Sequence, residues 1–139
     1  MTTRKPVPAL LLRDYYMGRD KLYRSELTRE LRANARDTLR RVNRLLRRAG
    51  MMRKVSSGWR PAAINAGVPG AAKSSRHLTC LAIDLEDRDG ALDAWCLAHL
   101  DVLEEFGLWL EHPQATIGWC HLTASSSMSA SDTATCAPM

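Results

Sequence analysis

Ser75-Arg76-His77-Leu78-Thr79-Cys80-Leu81-Ala82-Ile83-Asp84-Leu85 is the stretch on which the fold turns. From Leu81 to Leu85 the side chains alternate, with Ala82 and Asp84 on one side and Leu81, Ile83 and Leu85 on the other. That is the period of a strand with one apolar face. A small residue next to a carboxylate on the second face leaves room for a cation. His77 stands just upstream, and Trp119-Cys120-His121 supplies a second imidazole. Zinc in a hydrolytic site takes about three protein ligands at roughly 2.0–2.2 Å and keeps a fourth position for water. Imidazole nitrogen and carboxylate oxygen both suit it. Water bound there loses its proton near about pH 7, so hydrolysis is the natural use of such a set.

Working upstream, Asn65-Ala66-Gly67-Val68-Pro69-Gly70-Ala71-Ala72 reads as a loop framing the site, and Lys54-Val55-Ser56-Ser57 as a short strand entering a Gly58-Trp59-Arg60-Pro61 turn. Before it, Leu27, Leu31, Ala35, Leu39, Val42, Leu45, Leu46 and Ala49 recur at helical spacing until Gly50, with Ser25 the expected N-cap. Arginines 29, 32, 36, 40, 44, 47 and 48 fill the rest of that helix surface. No nucleic-acid motif accompanies them, so they read as a solvated face rather than a nucleic-acid surface.

Downstream, Asp87-Arg88-Asp89-Gly90 is a turn whose Asp89 is placed to cap a helix bearing Leu92, Trp95, Cys96, His99, Val102, Leu103 and Phe106 on one face. His99 in that stripe reads as a core residue, not a ligand. Leu108–Glu111 and Ile117–His121 form a hairpin. Residues 124–139 are rich in Ser, Thr and Ala and offer little to a core, so the organisation expected is a domain over 1–123 and a disordered tail over 124–139.

At 139 residues, 45% hydrophobic and 25% charged, the chain has the size and composition of one globular domain. No apolar run is long enough to span a bilayer, and Arg13 and Asp14 cut short the only leader-like stretch, so no signal peptide is expected. Cysteines 80, 96, 120 and 136 form no CxxC pair and read as reduced, buried small residues. The net charge of +5 is unevenly spread: residues 1–70 carry 17 basic and 5 acidic side chains, residues 71–139 carry 3 and 10. A basic half of that kind favours polyanions.

Three segments in order, Ser57-Gly58-Trp59-Arg60, Ser75 to Asp84, and Gly118-Trp119-Cys120-His121, resemble the zinc D-alanyl-D-alanine carboxypeptidases and dipeptidases and the related phage endolysins and virion peptidases. That family reads Ser-Gly-Tyr-Arg, then Ser-x-His-x-x-Gly-x-Ala-x-Asp, then Glu-Trp-x-His. The resemblance implies that His77, Asp84 and His121 bind zinc, that Arg60 holds substrate and steadies the oxyanion, and that Ser75 orients substrate or a ligand. Two positions depart from it. Cys80 stands where the family has glycine, which a small thiol can replace where φ is negative. Gly118 stands where the family has the glutamate that acts as general base, so activity does not carry over with the fold. Glu111, on the partner strand of the hairpin, is the expected replacement, with His112 the weaker candidate.

The expectation is thus an α+β domain with helices packed on a small antiparallel sheet that carries a zinc site. Its expected function is hydrolysis of peptide bonds in the peptidoglycan stem or cross-link. The alternative is a phage or prophage protein that keeps zinc and binds peptidoglycan peptides without turnover. Made in the cytoplasm without a leader, an active enzyme would reach the bacterial cell wall through a lysis pore or as part of a virion.

Overall fold

The computed structural model describes residues 7–69 and 75–125. Two short helices, α1 (Leu12–Tyr16) and α2 (Arg19–Leu22), lead into the long α3 (Arg29–Ala49). Then come β1 (Val55–Ser57), α4 (Ala62–Ala66), β2 (Ala82–Glu86), α5 (Ala91–Ala98), α6 (Leu100–Phe106), β3 (Leu108–Leu110) and β4 (Trp119–Ala124). The strands form one sheet in the order β1-β2-β4-β3, and every neighbouring pair is antiparallel. The expected α+β class and small antiparallel sheet are what the chain adopts.

Helix α3 forms where the apolar spacing places it, burying Ala35, Thr38, Leu39, Val42, Leu45 and Leu46. Its N-cap is Thr28, whose side chain accepts from Leu31 N at 3.2 Å, not Ser25, which lies in a separate 3₁₀ turn. Gly50 ends the helix at φ +67°, its N–H returning to Arg47 and Leu46 carbonyls. The arginine face is only partly a solvated one. Arg41, outside the expected basic set, donates from Nη1 to the carbonyls of Gly107 and Ser125, while Arg44 and Arg48 lie over the Phe106 ring. These contacts tie α3 to α6 and to the end of β4.

The Leu92-to-Phe106 stripe is broken at His99, whose φ of −133° separates α5 from α6. His99 Nδ1 bonds to the Trp95 carbonyl at 2.7 Å and its ring stacks on Trp95, so it is a structural residue rather than a ligand. Asp87, rather than Asp89, secures the start of α5: its carboxylate accepts from Leu92 N and Asp93 N, while of the helix N–H groups Asp89 accepts from Ala91. Asp87 is buried against Arg53 Nε at 3.1 Å, and a charge-assisted pair of that kind holds the turn after β2.

Alternation along the strands sorts the sheet into two faces. Ile83, Leu85, Cys120, Leu122, Leu108 and Leu110 are all buried on the side that packs into the core. Ala82, Asp84, His121 and Thr123 occupy the other side, and all four are also buried. Tyr15 of α1 covers that second face, its hydroxyl donating to the Ala82 carbonyl at 2.9 Å. Strand β4 runs through Ala124, which is fully buried, one residue past the boundary expected from composition. The remaining Ser/Thr/Ala-rich residues 126–139, Cys136 among them, lie outside the described residues.

Candidate metal centre

Antiparallel pairing does the first part of the construction. Asp84 of β2 lies directly opposite His121 of β4, so the two side chains leave the sheet on the same face. His121 Nδ1 meets Asp84 Oδ1 at 2.6 Å. His77 reaches the same place from the turn before β2, its Nε2 standing 3.2 Å from Asp84 Oδ2. The His77 and His121 rings are tilted at 60° with centroids 5.3 Å apart.

The turn that carries His77 is fixed from three directions. Buried Ser75 accepts through Oγ from His77 N at 3.2 Å, Arg60 N donates to the His77 carbonyl at 3.1 Å, and Leu81 N returns to the Arg76 carbonyl. His77 Nδ1–H donates to the Gly58 carbonyl at 2.7 Å, which leaves Nε2 as the unprotonated nitrogen. A carbonyl behind a histidine in this way is the usual device for orienting a metal ligand. The Gly58 backbone can sit there because it has no Cβ: one built on it would lie 2.1 Å from the Tyr15 carbonyl oxygen. A bulge between Val55 and Ser57 sets Ser57 opposite Asp84 and delivers the following Gly58-Trp59-Arg60 over the site. Trp59, nearly fully buried, packs edge-on against Tyr16.

Cys80 ends the same turn with φ +61°, so the expectation that a thiol fits through a negative φ is wrong. The backbone keeps the left-handed conformation that favours glycine, and Cys80 occupies it with strain. Thr38 Oγ1 donates to its carbonyl at 2.7 Å, and burial pushes its thiol up to about 12. Cys96 and Cys120 are likewise free and buried.

The donor set fits a divalent metal. One ligand atom from each of His77, Asp84 and His121 lies within 4.8 Å of the others. His77 Nε2 and His121 Nε2 are buried with no hydrogen-bond partner, a costly arrangement that a bound cation would relieve. Burial alone would raise the Asp84 carboxyl, but the hydrogen bond from His121 and the adjacent His77 imidazole outweigh it and hold the group well below the usual carboxylate range. Asp84 is therefore the anion this site needs.

A cavity of about 410 Å³ reaches the set at Asp84, and Arg19, Ser57, Arg60, Glu86 and Gly118 are also on its wall, while His77 and His121 lie behind it. Arg60 Nη2 stands 3.7 Å from Asp84 Oδ2 and Nη1 donates to Asn65 Oδ1, while Nε is buried without an acceptor. A neighbouring hollow of about 460 Å³ shares only Glu86 with this cavity and is lined by none of the three candidate ligands.

The sequence profile of the family described as Peptidase M15 matches residues 19–107. The chain belongs to the Peptidase M15 family. No curated protein and no solved structure matches it. Within this M15 chain the matched span includes Arg60, Ser75, His77 and Asp84 and ends before β4. Only the sheet pairing brings His121 to the others.

Gly118 lies on the cavity wall at φ +94°, and a Cβ there would meet nothing within 4 Å. The position is open, but its positive φ disfavours any side chain. Glu111 donates its backbone N–H to the His121 carbonyl at 3.1 Å, continuing the β3–β4 register, and is half-buried on the far side of His121. Its side chain does not contribute to the cavity wall. His112 is turned into the next bend, where its Nδ1 accepts from Gln114 N. Glu86, which no sequence motif singles out, lies two residues beyond Asp84 on β2, opposite Trp119, and does contribute. The alternation that places Ala82 and Asp84 on one face extends to Glu86, and that signal is present in the sequence.

Proposed function

We propose that this M15 protein is a zinc peptidase that hydrolyses peptide bonds of the peptidoglycan stem or cross-link at the bacterial cell wall. The observation that carries the reading is the convergence of His77, Asp84 and His121, with two ring nitrogens buried and unpartnered. Zinc held by these three would supply a Lewis acid and a water acidic enough to ionise near about pH 7.

The chain's own groups do the rest. Gly58 and Ser75 hold His77 in one tautomer and one orientation. Arg60, a planar cation on the cavity wall, meets the substrate carbonyl oxygen and steadies the negative charge that develops on it. A carboxylate must accept the proton from the attacking water, and position 118 has none. Glu111 and Glu86 both stand on the ligand face of the sheet. Water and substrate meet in the cavity, so we assign the role to Glu86, whose side chain lines it, with Glu111 as the alternative.

Gly118 also supports a second reading, in which the site binds zinc and peptidoglycan peptides without turnover. Purified peptidoglycan incubated with zinc-loaded protein separates the two. Release of new amino termini, abolished in His77→Ala, supports the enzyme. Zinc uptake and peptidoglycan retention without release would favour the binding protein.

A further inference from the structure

The peptidase reading uses one arginine of the cavity, and the wall carries a second. Arg19 opens α2, directly after Gly18 at φ +81°, and its Nη1 donates to the Trp59 carbonyl at 2.9 Å. That bond fixes the guanidinium beside Arg60, the next residue after Trp59. Arg19 is half-buried on the cavity wall, and burial, followed by the positive charge of Arg60, depresses its pKa. Arg60 has Asp84 at 3.7 Å, whereas no ion pair to Arg19 is found among the described residues. Two like charges held together in this way are stabilised by an anion between or in front of them.

The charge of the cavity points the same way. Arg19 and Arg60 balance Asp84 and Glu86, and a divalent cation would leave the wall net positive. A neutral peptide would not use that field. A peptide carrying a carboxylate beside the scissile bond would, since Arg19 and Asp84 line the same cavity. An arginine presents a planar pair of donors suited to a carboxylate, and the bond to Trp59 leaves other N–H groups of Arg19 to supply one.

We infer that Arg19 is a substrate-anchoring residue that binds a peptide carboxylate next to the bond held over His77, Asp84 and His121, with Arg60 reserved for the reacting carbonyl. The inference rests on the peptidase reading for its direction, because it selects which peptides enter. The carboxylate has two sources, the free C-terminus of a stem peptide or a side-chain carboxyl within it. The first makes the protein a carboxypeptidase and the second permits internal cleavage.

Binding to the metal-free protein tests the anchor without relying on turnover. N-acetyl-D-alanyl-D-alanine, its C-terminal amide, and an amidated peptide bearing an internal side-chain carboxylate are titrated by NMR into wild type, Arg19→Gln and Arg19→Lys. Wild type is expected to prefer at least one carboxylate ligand over the uncharged amide by about tenfold, the size of a lost charge-assisted bond. Arg19→Gln should lose that preference while binding the amide as before, and Arg19→Lys should keep part of it. Preference for the free acid identifies the C-terminus, and preference for the internal carboxylate identifies the side chain. Equal binding of acid and amide by wild type, or an unchanged preference in a folded Arg19→Gln, would overturn the inference. Should Arg19→Gln fail to fold, Arg19→Lys decides, with undiminished preference counting against the anchor. Zinc content measured on the same wild-type preparation keeps the two readings apart. Carboxylate preference in a chain that takes up no zinc would defeat the peptidase and leave the anchor, and full zinc with no preference would do the reverse.

Discussion

Asp84 and His121 stand directly opposite one another on β2 and β4, their side chains joined at 2.6 Å across the pairing that runs through the middle of the sheet. The candidate metal centre is therefore built into the strand register, and a one-residue slip of either strand would turn its candidate ligand into the core. His77 and Arg60 are then added from turns that bond to each other.

Gly58 is the tightest point of that assembly. Replacing it with alanine would drive a Cβ into the Tyr15 carbonyl, which sits against the covered face of the sheet. Gly58→Ala is expected to cost about 3 kcal/mol or more, the upper end for overpacking, and to loosen His77 through the Gly58 carbonyl. Denaturant unfolding checks it; a loss under about 0.5 kcal/mol, within the range of ordinary surface changes, would show that α1 moves aside freely.

Cys80 gives a prediction opposite to the common ranking of alanine and glycine. Both Cys80→Ala and Cys80→Gly delete the buried thiol, but alanine keeps the cost of φ +61° and glycine does not. Cys80→Gly should be the more stable of the two by about 1 kcal/mol. Equal or reversed midpoints would mean that the turn relaxes out of the left-handed region.

How much of this is legible in the sequence depends on the kind of signal. Periodicity marks α3 and β2 because burial acts on every third or fourth residue of a helix and every second residue of a strand. The convergence of His77, Asp84 and His121 is legible because chemistry restricts the residue types of a candidate ligand set. The N-cap at Thr28 and the role of Asp87 are not, since Ser25 and Asp89 carry equally good capping side chains and only the backbone path chooses between them. The end of helix α4, Asn65-Ala66, reads as the start of a loop, since the helix has a single turn and no clear apolar stripe. The φ of Cys80 leaves no mark in composition, and Arg19 enters the cavity through a fold-back that no local pattern announces.

Asp93 predicts a pH dependence. Burial raises its carboxyl to about 6, with a hydrogen bond from Cys120 opposing and the charge of Asp87 adding to the rise. Its Oδ1 has no hydrogen-bond partner. Below about pH 4 the group is protonated in both folded and unfolded chains and costs nothing. Above pH 6 it is ionised in both, and only the folded chain bears the buried charge, so its contribution falls as pH rises from 4 to 6. Asp93→Asn should gain stability over wild type through that window. The gain should reach roughly 1–2 kcal/mol, since each tenfold change in proton affinity is worth about 1.36 kcal/mol and solvent screening takes back part of it. A constant difference between the two proteins from pH 4 to 7 would contradict the assignment.

Two substitutions locate the proton acceptor. Glu86→Gln is expected to slow peptidoglycan hydrolysis by about 10²–10⁴-fold with zinc content unchanged, and Glu111→Gln to leave most of the rate. The opposite result would transfer the role to Glu111. Full activity in both variants would remove the sheet carboxylates from the mechanism.

The central claim is that His77, Asp84 and His121 hold one metal ion, and zinc content by atomic absorption after equilibration and desalting tests it most directly. Wild type should retain one zinc per chain. His77→Ala, Asp84→Ala and His121→Ala should each retain almost none, since even the loss of an outer-shell partner lowers affinity by about 10–100-fold. A chain that takes up no zinc, or variants that keep the wild-type content, would contradict the metal centre.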